Sequence, residues 1–379
     1  MRRTKLLGAA LAVTASVIAG SAFGEVKNLR AANVFSPEHP LGKFGYIWWA
    51  DEVKRLSGGD LSIEVFSGGS LLPARGAITG VRDGVADVGL VIAIYTPSAL
   101  PLTNALQELG VNFDDQLEPM LAGAELAMTD PDFIKEYQSV GIVYTGAQST
   151  ATYNLFCTSA IQTVEDMKGK KVRTPGGSFS RWVESVGGVP VNVPATEMYT
   201  GLEKGALDCA ANAGTDLKAL SLWDVAKHTT VGIPGGIYFS SPLWAFNPKT
   251  WSGLSVDERK AIFAASANSM AEIYVNYNRG ASDAFAEAPE HGVQLYRDVP
   301  ELKSDVETFR QSNREEFKNV AKDTYGIDDP DSLLSKFEES LDKWRAAFEG
   351  VDKKDANAIA AVIQSELYDK IDASSYGVK

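Results

Sequence analysis

The chain of 379 residues is 45% hydrophobic and 22% charged with no low-complexity tract, which excludes extensive disorder and leaves room for two domains with cores of their own. Its formal net charge is -13, so a nucleic-acid-binding face, which needs clustered basic charge, is not expected.

The first residues, MRRTKLLGAALAVTASVIAGSAFG, start basic at Arg2, Arg3 and Lys5, run apolar from Leu6 to about Ile18 and end in small residues. That order predicts a signal peptide over 1–24, cleaved after the triplet Ala22, Phe23, Gly24; an uncleaved anchor is the alternative. Cleavage leaves 33 basic against 49 acidic residues. No later window approaches about 18 consecutive apolar residues, so the mature protein is expected to be periplasmic and soluble. The two cysteines, Cys157 and Cys209, either pair in that oxidising compartment or stay as buried thiols.

Short β-rich runs then alternate with amphipathic helical runs, which predicts an α/β architecture. LRAANVF (29–35) reads as a strand, 42–56 as a helix, SGGD as a turn, 61–66 as a second strand and 74–82 as a second helix. VRDGVADVGLV (81–91) and LEKGALDCAAN (202–212) share a helix end, a Gly, small or apolar residues, an Asp and a β-like run. Gly84 and Gly205 are expected to close their helices in the left-handed conformation, and the shared junction suggests two similar lobes facing one cleft.

From Ser255 to Ala288 no proline interrupts the helical pattern, and Ser255 with Glu258 forms a capping-box signature. At 1.5 Å per residue such a helix approaches about 50 Å, long enough to bridge both lobes, with Gly280 as the expected bend. Beyond about Asp331, Leu334, Phe337, Leu341, Trp344 and Phe348 recur at helical spacing, and DANAIAAVIQSELYDKI suggests a further helix. These helices either pack on the lobes or form a subunit interface; a monomer is expected, a dimer being the alternative.

Motifs of catalysis are missing. His39, His228 and His291 share no metal-ligand spacing, TPGGSFS lacks the G-x-S-x-G register, and the GKK stretch lacks the glycine of a phosphate loop. A binding protein without metal or organic cofactor is therefore expected in preference to an exported α/β enzyme.

Three lysines and one arginine crowd into MKGKKVRTPGG (167–177). Lys168, Lys170 and Lys171 fall on a turn, whereas Arg173 falls where a strand ends. A guanidinium offers paired N–H donors that match a carboxylate, supplied either by a ligand or by an internal Asp or Glu. The stretch DMKGKKVRTPGG, followed by TEMYTGLEKGALDCAAN and TWSGLSVDER, resembles the periplasmic solute-binding proteins of tripartite ATP-independent periplasmic (TRAP) transporters, of the C4-dicarboxylate-binding type. SPEHPLGKFGYIWWADEVKRLSGGDLSIEVF and GVRDGVADVGLV fit the same pattern, and the similarity extends from about Leu29 to about Ala288.

The resemblance implies a two-lobed periplasmic binding fold with hinge strands and a helix spanning both lobes. Its expected division is lobe I over 25–150 and about 238–277, lobe II over 151–237 and about 278–330, and a C-terminal helical extension over 331–379. It implies a small organic acid as ligand, a TRAP membrane permease as partner, Arg173 as the carboxylate clamp and Asn212 as its helper. Cys209 and Ala211 replace residues that are often Gly and Glu in the family. Some members carry a second arginine near the place that Tyr153 occupies here, so a second anionic group is less well served. Tyr95 and Tyr238 either line the pocket or pack in a core, while Asp216 and Glu38 either meet ligand amines and hydroxyls or stay in solvent. Receptors of ABC importers, and of zwitterionic or amine ligands that lean on Asp216 and the aromatics, are the alternatives.

Overall fold

The computed structural model describes residues 26–378, so the signal peptide expected over 1–24 lies outside the described residues. Thirteen strands follow in chain order: β1 Lys27–Ala32, β2 Leu61–Phe66, β3 Val88–Gly89, β4 Val143–Tyr144, β5 Ala147–Ser149, β6 Tyr153–Cys157 and β7 Lys171–Arg173, then β8 Val189–Val191, β9 Cys209–Ala213, β10 His228–Thr230, β11 Phe239–Pro242, β12 Ala245–Phe246 and β13 Gln294–Tyr296. They build two sheets, β2-β1-β3-β12-β4 and β13-β10-β6-β9-β7-β8, and a two-stranded ribbon of β5 with β11. Each sheet is the floor of one lobe.

The two lobes repeat one plan. In the first, β1 lies parallel to both β2 and β3, and β12 runs antiparallel beside β3. In the second, β7 lies parallel to both β8 and β9, and β6 runs antiparallel beside β9. The repeated junction noticed in the sequence is the exit into the third strand of each unit. Gly84 and Gly205 have φ of 75° and 70°, which a residue with a Cβ adopts at a cost. The following aspartate ties the sheet together identically in both lobes. The Asp87 carboxylate accepts from Arg30 N–H and the Asp208 carboxylate from Lys171 N–H, each at 2.8 Å, while their own N–H groups donate to Arg30 and Lys171 carbonyls.

β1 ends at Ala32, short of the expected Phe35. The Asn33 side chain accepts from Phe35 N–H at 3.0 Å and donates to the Phe35 carbonyl at 3.1 Å, so an asparagine turn replaces the sheet ladder. The helical run after it includes a six-residue π segment, Lys43–Trp48, before the regular helix Trp49–Leu56. Two short crossings join the lobes, one between β5 and β6 and one between β10 and β11, and the chain crosses again through the long helix between β12 and β13. The two short crossings run side by side, with Tyr153 N–H bonded to the Gly236 carbonyl and Thr150 N–H to the Tyr238 carbonyl.

The long helix is Val256–Glu287, opened by the Ser255–Glu258 capping box. It passes through Gly280 without a break in its helical run. A Cβ there would sit 2.9 Å from Thr215 Cγ2, so close packing against the second lobe accounts for this glycine where a bend was expected. Helix Pro300–Tyr325 also joins the lobes. Leu302 and Val306 enter the core beneath the second sheet, while Asn313 donates to the Glu108 carbonyl and Arg310 pairs with Asp114 of the first. Helices Pro330–Ala347 and Ala356–Glu366 pack through Phe337, Leu341, Trp344, Ile359 and Ile363 into the main core. No helix among the described residues is long and apolar enough to cross a membrane.

Cys157 and Cys209 face each other across β6 and β9 and are joined by a disulfide, with 4.1 Å between their Cα atoms. The bond closes a segment of 52 residues that carries β7, β8 and the helices between them. By loop-closure entropy it contributes about 2–4 kcal/mol. Replacing both cysteines by alanine is expected to lower the unfolding free energy in urea by about that amount. Ligand affinity should stay within about twofold, because the bond lies at the opposite end of these strands from the cavity described next.

Candidate functional site

Ligands of open α/β sheets bind beyond the carboxyl ends of the parallel strands. Here those ends of the two sheets face each other across a cleft. Side chains alternate along a strand, so Val172, Cys209 and Ala211 turn into the core beneath the second sheet. Arg173, paired in register with Ala210, and Asn212 therefore share the opposite face, at the cleft. With Tyr95, Tyr153, Asp216 and Tyr238 they enclose a cavity with an empty volume of about 340 Å³. Phe35, Leu41, Ile92, Ile94 and Ala195 supply its apolar wall, and Gln148, Thr150 and Tyr277 complete it.

Arg173 is 2% exposed. Its Nε donates to the Val193 carbonyl at 3.2 Å and its Nη1 to the Ala211 carbonyl at 3.0 Å. Both acceptors are neutral, and among the described residues no carboxylate forms an ion pair with this guanidinium. A buried cation held only by carbonyls is electrostatically unfinished. The lysines of the same segment go elsewhere: Lys168 pairs with exposed Glu165, Lys170 reaches Ser159 and Lys171 reaches the Gly205 carbonyl.

Asp216 is buried, not solvated. Its Oδ2 accepts from Asn212 Nδ2 at 2.8 Å and its Oδ1 lies 3.0 Å from His39 Nε2, which comes from the other lobe. His39 Nδ1 accepts Leu41 N–H at 3.1 Å, which places the imidazole proton on Nε2, donating to Asp216. The His39 ring stacks on Phe35 at 3.9 Å and meets the edge of Tyr277 at 5.8 Å. Glu38 is the exception among the expected residues: it is exposed on the turn outside the cavity, and its neighbour His39 turns inward instead.

The tyrosines are pocket and core at once. Burial raises the pKa values of Tyr153, Tyr238 and Tyr277, so all three hydroxyls remain protonated donors; the Arg173 charge opposes the rise at Tyr153, and the Asp216 charge adds to it at Tyr277. Tyr238 bonds Ser241. Tyr95 accepts Ala195 N–H at 2.8 Å, a contact from the first lobe to the second.

Further contacts cross the cleft at its rim. Arg75 donates to the Tyr95 carbonyl and, across the gap, to the Asn192 carbonyl. Glu108, 2% exposed, accepts from Arg181 Nη1 at 2.8 Å and from the Tyr325 hydroxyl; Arg181 Nη2 donates to Asn313 Oδ1 at 2.6 Å. Gly177 makes this approach possible, since a Cβ on it would lie 2.2 Å from Glu108 Oε1. The glycine of RTPGG thus admits a carboxylate from the facing lobe.

His39, Tyr277, Gln148 and Thr150 escaped sequence reasoning. The proline after His39 marks a helix start directly beyond the first strand, a place from which a side chain can reach a cleft. Tyr277 lies in the long helix with no local signal at all.

Among known proteins, the profile of the bacterial extracellular solute-binding protein family 7 matches residues 31–323. A solute-binding protein of Albidiferax ferrireducens is 24% identical over 222 residues, covering 58% of this chain and 64% of that protein. A monocarboxylate 2-oxoacid-binding periplasmic protein of Nostoc is 29% identical over 216 residues, 56% of each chain. These alignments therefore span less than two thirds of either relative. A marine metagenome TRAP solute-binding protein specific for aromatic acids, crystallised with 3-hydroxybenzoate, superimposes with a TM-score of 0.74 at 19% identity, over 85% of this chain and 99% of that one.

Proposed function

The chain belongs to family 7 of the bacterial extracellular solute-binding proteins, and from that premise we propose that it is a periplasmic receptor that binds a small organic acid between its lobes and delivers it to a TRAP membrane permease. The observation that carries this reading is Arg173, a buried guanidinium in the cavity wall that forms no ion pair with a carboxylate among the described residues. A ligand carboxylate completes it, receiving charge-assisted hydrogen bonds worth roughly 1.5–3 kcal/mol each. Tyr153 and Tyr95 add hydroxyl donors beside it, and the aliphatic wall takes the body of the acid. The ligands named for the Nostoc and metagenome relatives, 2-oxoacids and aromatic acids, are of the same class.

A receptor for zwitterions is the second reading, favoured by the buried Asp216 carboxylate on the same wall. Calorimetric titration with monocarboxylates, dicarboxylates, sugar acids, amino acids and amines tests both, with product analysis after prolonged incubation. One class of carboxylate should bind without turnover and raise the unfolding temperature, by about 2.7 kcal/mol of stability at 100 times its Kd. Binding confined to amines, or product formation, would contradict the proposal.

A further inference from the structure

From the charges of the cavity wall we infer that the site accepts acids with a single carboxylate and that Asp216 excludes a second one. This rests on the reading of Arg173 as the carboxylate clamp. Among the described residues lining the cavity, Arg173 is the sole cation and Asp216 the sole anion. Both are 2% exposed, so solvent screens neither. His39, which reaches Asp216 from the facing lobe, has its Nδ1 filled by Leu41 N–H and its Nε2 proton directed at Asp216, which leaves no ring donor for a ligand.

The pair Arg173 and Asp216 is neutral before any ligand enters. One carboxylate on Arg173 takes its share of donors from the guanidinium and the tyrosine hydroxyls. A second carboxylate has no cation to meet, and the wall that remains is either aliphatic or carries Asp216. Asp216 cannot turn away, because Asn212 holds one oxygen from its own lobe and His39 holds the other from the facing lobe. The receptor thus places a fixed negative charge in the wall of the same cavity as its single positive one, and like-charge proximity away from water is an effective means of rejection. A neutral donor in place of the second carboxylate meets no such penalty and finds an acceptor in Asp216.

The experiment compares acids of equal shape that differ only in one charge: succinate with succinamate, and isophthalate with 3-carbamoylbenzoate, alongside the wider panel of mono- and dicarboxylates. At pH 7.5 the expected result is a monocarboxylate as the tightest ligand, with the diacid of its shape at least about 100-fold weaker. In Asp216→Asn that ratio should shrink at least about tenfold, whatever the change in monocarboxylate affinity itself. A dicarboxylate as the tightest ligand, or a ratio that Asp216→Asn leaves unchanged, overturns the inference. If Asp216→Asn does not fold, the wild-type pairs decide alone. Loss of the clamp reading looks different: Arg173→Met then binds the monocarboxylate as tightly as the parent.

Discussion

Arg173→Met is expected to weaken ligand binding at least about 150-fold while the ligand-free protein keeps its fold, because two charge-assisted bonds of roughly 1.5–3 kcal/mol each are lost. The substitution removes the hydrogen bonds to the Val193 and Ala211 carbonyls, which costs stability, but it also removes a buried cation that makes no direct ion pair among the described residues. These two effects oppose each other, so the unfolding temperature of the ligand-free variant should move by only a few degrees. Arg173→Lys should bind nearly as poorly, since an ammonium cannot donate to two carbonyls and still present a fork to a carboxylate. Calorimetry on both variants separates a clamp from a structural arginine. A structural arginine would lose stability and keep its affinity.

The second large effect is expected at the rim. Removing one partner of a buried ion pair typically costs 3–5 kcal/mol, because the other charge stays buried. In Arg181→Met that charge is Glu108, enclosed between the lobes and left with the Tyr325 hydroxyl alone. Opening the cleft would hydrate Glu108, so the cost falls on the closed form and not on the fold of either lobe. A closed form destabilised by about 2–3 kcal/mol releases ligand about 30–150 times faster, with little change in association. Stopped-flow dissociation should show this. Small-angle scattering of the ligand-bound variant should show a larger open fraction than the parent, whereas an unchanged release rate would mean that the Glu108 network does not hold the lobes together.

Much of the frame was legible from local signals. The strand at 61–66, the capping box at Ser255 and the paired Gly and Asp junctions depend on neighbours in sequence, and the structure forms each of them. Arg173 stood out because a strand end, a proline and two glycines surround it within a few residues. What remained hidden depends on contacts between distant segments. Asp216 is buried because His39, 177 residues earlier, reaches it across the cleft, and nothing near either residue announces that meeting. Glu38 looked as eligible as His39, yet the turn that starts the helical run points one outward and the other inward. Gly280 carried the ordinary signature of a bend, and only the position of Thr215 explains why it packs instead. The end of β1 was misplaced for a similar reason, since Asn33 offers its own hydrogen bonds to Phe35 in competition with the sheet.

The most direct test is a crystal structure of the protein with the tightest acid from the panel. One ligand carboxylate is expected within hydrogen-bond distance, about 2.7–2.9 Å, of the Arg173 guanidinium, with the body of the acid against Ile92 and Ile94. A ligand seated in the cavity with no anionic group at Arg173 would contradict it.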